Sequence, residues 1–361
     1  MVEIEVALPG RAYPVLVGSG VLRRLPELVG PRHRAAAVVA DPAVRVLADA
    51  ISQNLAAAGV ALPRQPVHFA GGEESKSLAG LEGVLRYLAA AGIDRSGCVV
   101  AAGGGSVGDL AGFAAAVWLR GITYYHVPTT LLAMVDSSVG GKAGINFDGM
   151  KNAVGAFWQP AAVVSDLECL STLPQAEFRA AFGEIVKYAV AMDAGLFHLL
   201  STRAPDLLAR DLAALEDVIL RCVRAKARVV VEDELDRKGV RAILNYGHTV
   251  GHALEAASGY EISHGCAVAH GMRAAARVAA AIGFCAPEVV EAQDRLLAAF
   301  ALPGPAPDVA IDAVMSALPK DKKSESGAPR WVLPREIGRA ETGVAAPPDK
   351  VRAAVAEALA A

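Results

Sequence analysis

Cysteine is scarce and scattered: five in 361 residues, at Cys98, Cys169, Cys222, Cys266 and Cys285, with no Cys-x-x-Cys pair. That spacing excludes a disulfide framework and a structural zinc knuckle, and it fits a reducing compartment. Basic charge is not in excess either. The formal net charge is -3, so no positive field is available for nucleic acid or an anionic membrane surface. Long apolar runs are missing as well. The most apolar stretches are broken by Asp109 or Arg273, which argues against a membrane span. Met1–Val6 alternates like a strand and does not have the basic-then-apolar form of a secretory leader. No internal repeat is found. These absences leave a cytoplasmic globular protein as the expectation. With 53% hydrophobic and 20% charged residues, a large core can form, and the length suggests two or three domains at roughly 150 residues each.

The first half reads as α/β. Val2–Leu8 and Tyr13–Val17 have strand character. Ala35–Ala40 is a short continuous apolar run, as expected for a strand buried on both faces. It ends at Asp41, which suits either a ribose hydroxyl or a plain helix cap. The strand-like Val67–Ala70 leads to Gly71-Gly72-Glu73-Glu74-Ser75-Lys76-Ser77, read as a loop and helix start. The run Cys98–Ala102 reads as a further strand. It is followed by Gly103-Gly104-Gly105-Ser106-Val107-Gly108-Asp109 and an apolar helix over Leu110–Trp118. Strand, glycine loop and helix can aim backbone N–H groups and a helix N-terminus at a pyrophosphate. Close helix–sheet packing would use the same glycines. No Lys-Ser/Thr follows the loop, so a P-loop is excluded. A strand over Thr123–Val127 leads into Thr129-Thr130. The segment Asp136–Asn146, small and polar and ending near Lys151-Asn152, suits an anionic substrate.

After Leu173-Pro174 the texture becomes alanine- and leucine-rich, which places a domain boundary near Thr172. Glu184 and Lys187 share a helical face in an apolar stretch, as a structural ion pair or with Glu184 as a metal ligand. A helix over Glu216–Val231 carries Lys226, and Arg241 precedes His248 by seven residues. Three of the chain's 8 histidines fall between Asn245 and His264. His248 and His252 are one helical turn apart, and His264 follows a short loop. Such a group points to a metal or proton-transfer site. Near the end, Lys320–Pro329 reads as a polar loop, Arg330–Leu333 as a strand and residues 348–360 as a helix.

Together these segments resemble the 3-dehydroquinate synthases, members of the sugar-phosphate cyclase family. The resemblance runs over almost the whole chain. It is carried by Gly72-Glu73-x-x-Lys76-Ser77-Leu78, Gly103-Gly104-Gly105-x-Val107-Gly108-Asp109, Arg120-Gly121, Val127-Pro128-Thr129-Thr130-Leu131-Leu132 and Val135-Asp136-Ser137-Ser138-Val139-Gly140-Gly141-Lys142. Further on it is carried by Lys151-Asn152, Glu184-x-x-Lys187, Asn245-Tyr246-Gly247-His248-Thr249-x-Gly251-His252-Ala253-x-Glu255, His264-Gly265 and Asp321-Lys322-Lys323. The resemblance implies an α/β NAD-binding domain over 1–172 and a mainly helical metal- and substrate-binding domain over 173–361.

It also implies residue roles. The metal, zinc or cobalt, goes to Glu184, His248 and His264, whereas spacing alone would pair His248 with His252. NAD contacts fall on Asp41, Gly72, Glu73, Lys76, Gly105, Ser106, Val107, Gly108, Asp109, Thr129, Thr130, Lys142, Lys151, Cys169, Leu170, Ser171 and Thr172. Catalytic and substrate contacts fall on Asp136, Lys142, Asn152, Lys187, Lys226, Arg241, Asn245, His252 and one of Lys322 or Lys323. Arg120 is expected to reach into the neighbouring active site of a homodimer. The implied reaction converts 3-deoxy-D-arabino-heptulosonate 7-phosphate to 3-dehydroquinate and phosphate, in the shikimate pathway, with NAD used catalytically. Ala43, the Phe147-Asp148 pair and a Lys226–Arg241 link one residue longer depart from the family pattern. Competing readings are a 2-epi-5-epi-valiolone or amino-dehydroquinate synthase, a glycerol dehydrogenase-type enzyme, and a silent nucleotide-binding scaffold.

Overall fold

The computed structural model describes residues 1–69, 72–318 and 330–360. It divides into two units, Met1–Leu173 with Lys226–Leu235, and Pro174–Ala225 with Asp236–Ala361.

The first unit is α/β. In chain order it holds β1 (Val2–Val6), β2 (Tyr13–Gly18), α1 (Leu25–Val29), β3 (Ala36–Ala40), α2 (Arg45–Ala57), β4 (Val67–His68), α3 (Leu78–Ala90), β5 (Cys98–Gly103) and α4 (Gly105–Val117). Then come β6 (Thr123–Pro128), β7 (Lys142–Phe147), β8 (Met150–Phe157) and β9 (Ala162–Asp166). Seven strands form one sheet in the order β1-β2-β9-β6-β5-β3-β4. All neighbours are parallel except the β1–β2 pair. The Ala36–Ala40 strand is buried on both faces. Ala36, Val38 and Ala40 pack with Ile51 and Leu55 of α2, while Ala37 and Val39 pack on the opposite side with α3 and α4 residues. Burial on both faces is why this strand shows no polar alternation.

Two expectations change here. The first is α4, which starts at Gly105, five residues before Leu110. Glycine lowers helix propensity, but the tight packing below favours these glycines over larger residues. The second is the polar segment after Asp136. Small and polar as it is, it holds the end of a π-type turn over Ala133–Ser137 and then the β7–β8 hairpin. Asp148 and Gly149, both at positive φ, make its turn.

The second unit is mainly helical. It contains α5 (Gln175–Met192), α6 (Ala194–Leu208), α7 (Leu212–Glu232), whose last residues belong to the first unit, α8 (His248–Ala257), α9 (His264–Ala281), α10 (Pro287–Ala299) and α11 (Ile311–Ala317). It ends with the hairpin β10 (Trp331–Glu336) and β11 (Arg339–Val344) and with α12 (Pro348–Ala360). No described helix is long and apolar enough to cross a membrane.

Candidate functional site

Three side chains from three helices of the second unit converge. Glu184 lies within α5, and His248 and His264 open α8 and α9. Each stands next to a glycine that lets main chains touch. A Cβ on Gly265 would lie 1.8 Å from the Ala180 carbonyl oxygen of α5, and one on Gly183 2.2 Å from the Gly265 oxygen. A Cβ on Gly271 of α9 would lie 1.8 Å from the Gly247 oxygen. Only glycine permits such approaches, and Gly247 also has φ 80° at the entry to α8. The helices are therefore close enough for short side chains to meet. His248 Nε2 is 3.2 Å, and His264 Nε2 3.1 Å, from the same Glu184 Oε1.

The outer ring nitrogens are held from behind. His248 Nδ1 lies 3.2 Å from the Tyr246 carbonyl oxygen, and His264 Nδ1 3.4 Å from Glu255 Oε1. An acceptor behind Nδ1 keeps the proton there and leaves the Nε2 lone pair facing inward, as a metal ligand requires. Glu184 is 1% exposed. Burial alone would raise its pKa, but Lys187, paired with its other oxygen, and the two histidines hold the carboxyl well below the usual range. Burial would lower the pKa of His264, yet Glu184 and Glu255 raise it to about 10. The Glu184 and Glu255 carboxylates thus favour a proton on His264, and a cation bound by the cluster would take that proton's place. This donor set fits a divalent metal of the zinc type.

A second group, His252, Glu255 and His264, also brings its ligand atoms within 4.8 Å of one another. His252 is exposed, with its ring 5.2 Å from that of His248 and 6.1 Å from that of His264. Glu255, 2% exposed, was given no role by sequence reasoning. Its signal is the position two turns after His248, on the same helix face. Just before α8, a 3-10 turn over Val240–Asn245 buries Arg241, and Asn245 Nδ2 donates to the Ala242 carbonyl.

In the first unit the chain leaves β3 for β4 on one side and returns to β5 on the other. The crevice at the carboxyl ends of β3 and β5 is therefore a topological switch point, where open α/β sheets bind nucleotides. Asp41 stands at the end of β3, and its side chain accepts from the Ala43 N–H at 2.9 Å, so it caps the next turn. Gly103–Gly105 stand at the end of β5. The N-terminus of α4 has no side-chain cap, which leaves its first N–H groups available for phosphate. The glycines also serve packing, since a Cβ on Gly108 would lie 2.2 Å from the His126 ring. This unit therefore fits a dinucleotide through uncapped backbone donors.

Nearby, the buried Lys76 ammonium bonds Asp109 Oδ2 at 2.7 Å and also the side-chain oxygen of Asn152. Burial raises the Asp109 pKa against the pull of Lys76. Glu73 joins through Asn146, whose side chain in turn accepts from the Asn152 N–H. Asn152, expected among substrate contacts, thus sits with residues expected at the nucleotide. Lys226 Nζ bonds both the backbone and side-chain oxygens of Asp136 at 2.8 Å. The Thr129 N–H donates to Gly103, and the Thr130 hydroxyl caps the next turn. Gly72, Lys142, Lys151 and the 3-10 turn Leu167–Thr172, carrying Cys169, Leu170 and Ser171, lie in the same unit. Burial raises the Cys169 pKa to about 12, so its thiol stays protonated. Arg120 is exposed at φ 69°. Lys322 and Lys323 lie outside the described residues.

Residues 66–180 match the family model for the 3-dehydroquinate synthase N-terminal domain, and residues 181–324 that for the C-terminal domain. The chain is 44% identical to the 3-dehydroquinate synthase of Gloeobacter violaceus over 357 residues, 98% of each chain. The chain belongs to the 3-dehydroquinate synthase family. Among solved structures it is similar to a 2-deoxy-scyllo-inosose synthase complexed with carbaglucose-6-phosphate, NAD+ and Co2+. There the TM-score is 0.88 at 27% identity, covering 99% of this chain and 100% of that one. It is also similar to the 2-epi-5-epi-valiolone synthase of Streptomyces hygroscopicus with NAD+ and Zn2+ bound, with TM-score 0.86, 28% identity and 98% of each chain covered. The family's shared architecture is the parallel-sheet α/β unit with a helical C-terminal unit described above.

Proposed function

We propose that this protein is a 3-dehydroquinate synthase, converting 3-deoxy-D-arabino-heptulosonate 7-phosphate to 3-dehydroquinate and phosphate. The observation that carries the reading is the meeting of Glu184, His248 and His264 in a chain 44% identical to a synthase of that name. Identity to the other cyclases is only 27–28%, which favours the dehydroquinate reading over theirs. Residues 1–172 would hold NAD and 173–361 the metal. When bound, the divalent ion polarises a substrate hydroxyl and NAD takes up, then returns, one hydride.

The chain's own residues supply the rest. Glu184, His248 and His264 hold the ion, with Nδ1 of each histidine fixed from behind. The uncapped start of α4, with Gly105–Asp109, Thr129 and Thr130, holds the nucleotide. Lys142, Asn152 and His252 hold the phosphate, and the His252 imidazole moves a proton as phosphate leaves. Lys226 and Arg241 hold the substrate carboxylate. A charge-assisted bond of that kind contributes about 1.5–3 kcal/mol, so a substrate lacking the carboxylate is disfavoured by roughly tenfold or more. The enzyme would work as a homodimer, with Arg120 reaching the neighbouring site. The five free cysteines support a cytoplasmic home.

The test is incubation with the heptulosonate phosphate, trace NAD and zinc or cobalt, reading phosphate and carbocycle together. Stoichiometric release of both is expected. Accumulating NADH without phosphate would indicate a dehydrogenase. Preferred turnover of sedoheptulose 7-phosphate would indicate a valiolone synthase.

A further inference from the structure

Gln293 of α10 is fully buried, at 0% exposure, one turn before the buried Leu296 and Leu297 on its helix. A buried amide is costly unless both its ends are paired, and leucine or methionine would fill the same space at less cost. Both ends are paired. Its Nε2 donates to the Met272 carbonyl of α9 at 3.0 Å, and its Oε1 accepts from the Tyr246 hydroxyl. Tyr246 is also 0% exposed. Its backbone carbonyl is the acceptor behind His248 Nδ1. One residue on, Gly247 is pressed against α9, where a Cβ would lie 2.6 Å from Met272 Cγ and 2.7 Å from the Val268 oxygen.

The amide thus joins, through two hydrogen bonds, the residue that sets the tautomer of one metal ligand to the helix that carries another. We propose that Gln293 is a positioning residue for the metal centre: it clamps Tyr246 to α9 and so fixes the carbonyl that orients His248. This rests on reading Glu184, His248 and His264 as metal ligands. Gln293 is not one of the proposed ligands and acts on His248 through Tyr246, with α9 as its anchor.

Tyr246→Phe/Gln293→Leu removes the hydroxyl and the amide together and leaves the Met272 carbonyl its hydrogen bond within α9, so folding stability stays near that of the parent. Loss of support behind a ligating histidine typically weakens metal binding about 10–100-fold. The experiment loads the full chain with Co2+ and follows the visible ligand-field spectrum and the rate of metal loss to a chelator, with thermal unfolding alongside. The expected result is a shifted spectrum and metal loss at least about tenfold faster, at a near-parental unfolding temperature. If the double variant fails to fold, Tyr246→Phe alone deletes one oxygen, and its metal loss should quicken several-fold. A superimposable spectrum with the parental rate in the folded variant overturns the clamp. Glu184→Ala serves as the control. If it keeps its Co2+, the ligand reading itself fails; if it loses Co2+ while the clamp variants behave as parent, only the clamp fails.

Discussion

Replacing Gly265 with alanine tests whether main-chain contact sets the spacing of the ligands. The added Cβ would sit 1.8 Å from the Ala180 oxygen and 2.6 Å from its carbon, both backbone atoms of α5. Reaching an ordinary 3.4 Å contact means opening α5 from α9 by about 1.6 Å. Glu184 lies four residues along α5 from Ala180, and His264 is the residue before Gly265, so this opening separates two ligands directly. Metal-site distances tolerate about 0.2 Å. Affinity should therefore fall by more than the roughly 100-fold seen when only outer support is lost. Overpacking adds about 1–3 kcal/mol of destabilisation. Gly251→Ala is the internal control. Its Cβ would meet the Ala267 oxygen at 3.1 Å, needing a shift of a few tenths of an ångström. The helix-propensity gain of about 0.8–1 kcal/mol for losing a glycine offsets that cost. The assay is zinc competition with a chromophoric chelator, with circular dichroism and unfolding temperature recorded for both variants. Equal zinc affinity in Gly265→Ala and Gly251→Ala would refute the reasoning.

Elemental analysis should find the metal lost from Glu184→Ala and His264→Ala but retained in His252→Ala, with most activity gone; the reverse pattern would reassign the ligands. Lys187→Met leaves the Glu184 carboxylate buried without its ammonium, so urea unfolding of the chelator-treated variant should show a loss of about 3–5 kcal/mol, and a loss under 1 kcal/mol would contradict this. His126 is 3% exposed, and burial lowers its pKa from 6.5 to about 4. Below pH 6.5 the unfolded chain takes a proton that the folded chain refuses, so stability falls down to about pH 4, by about 3 kcal/mol in total. His126→Gln should flatten that part of the profile, and an unchanged acid slope would exclude His126 as its source. Mixing inactive Arg120→Ala with an inactive Glu184→Ala protein should restore part of the activity; no recovery from a proven mixed dimer would remove the cross-subunit role.

Much of the first unit was legible because its strands are short apolar runs ended by glycine, aspartate or proline. The β7–β8 hairpin was missed although Asp148-Gly149 is a strong hairpin turn signal. The small and polar residues before it masked the alternation. The start of α4 was misplaced because its first turn contains two glycines. For the metal site, spacing exposed His248 and His252, since helix periodicity acts within one segment. Glu184 and His264 are 80 residues apart, and what joins them is contact between α5 and α9 at Gly183 and Gly265. Periodicity cannot report that contact, so their pairing rested on family resemblance. The assignment of Lys226–Leu235 to the first unit was equally hidden, because α7 crosses the Ala225–Lys226 boundary without a break.

Gly183, Gly251, Gly265 and Gly271 all lie within helices that carry the proposed ligands. Each gives up about 0.8–1 kcal/mol of helix propensity relative to alanine, roughly 3–4 kcal/mol over the four. A ligand present at a thousand times its Kd and bound only by the folded chain returns about 4 kcal/mol. The two amounts are nearly equal. An ion held at that ratio by the proposed ligands would therefore offset what these four glycines cost α5, α8 and α9.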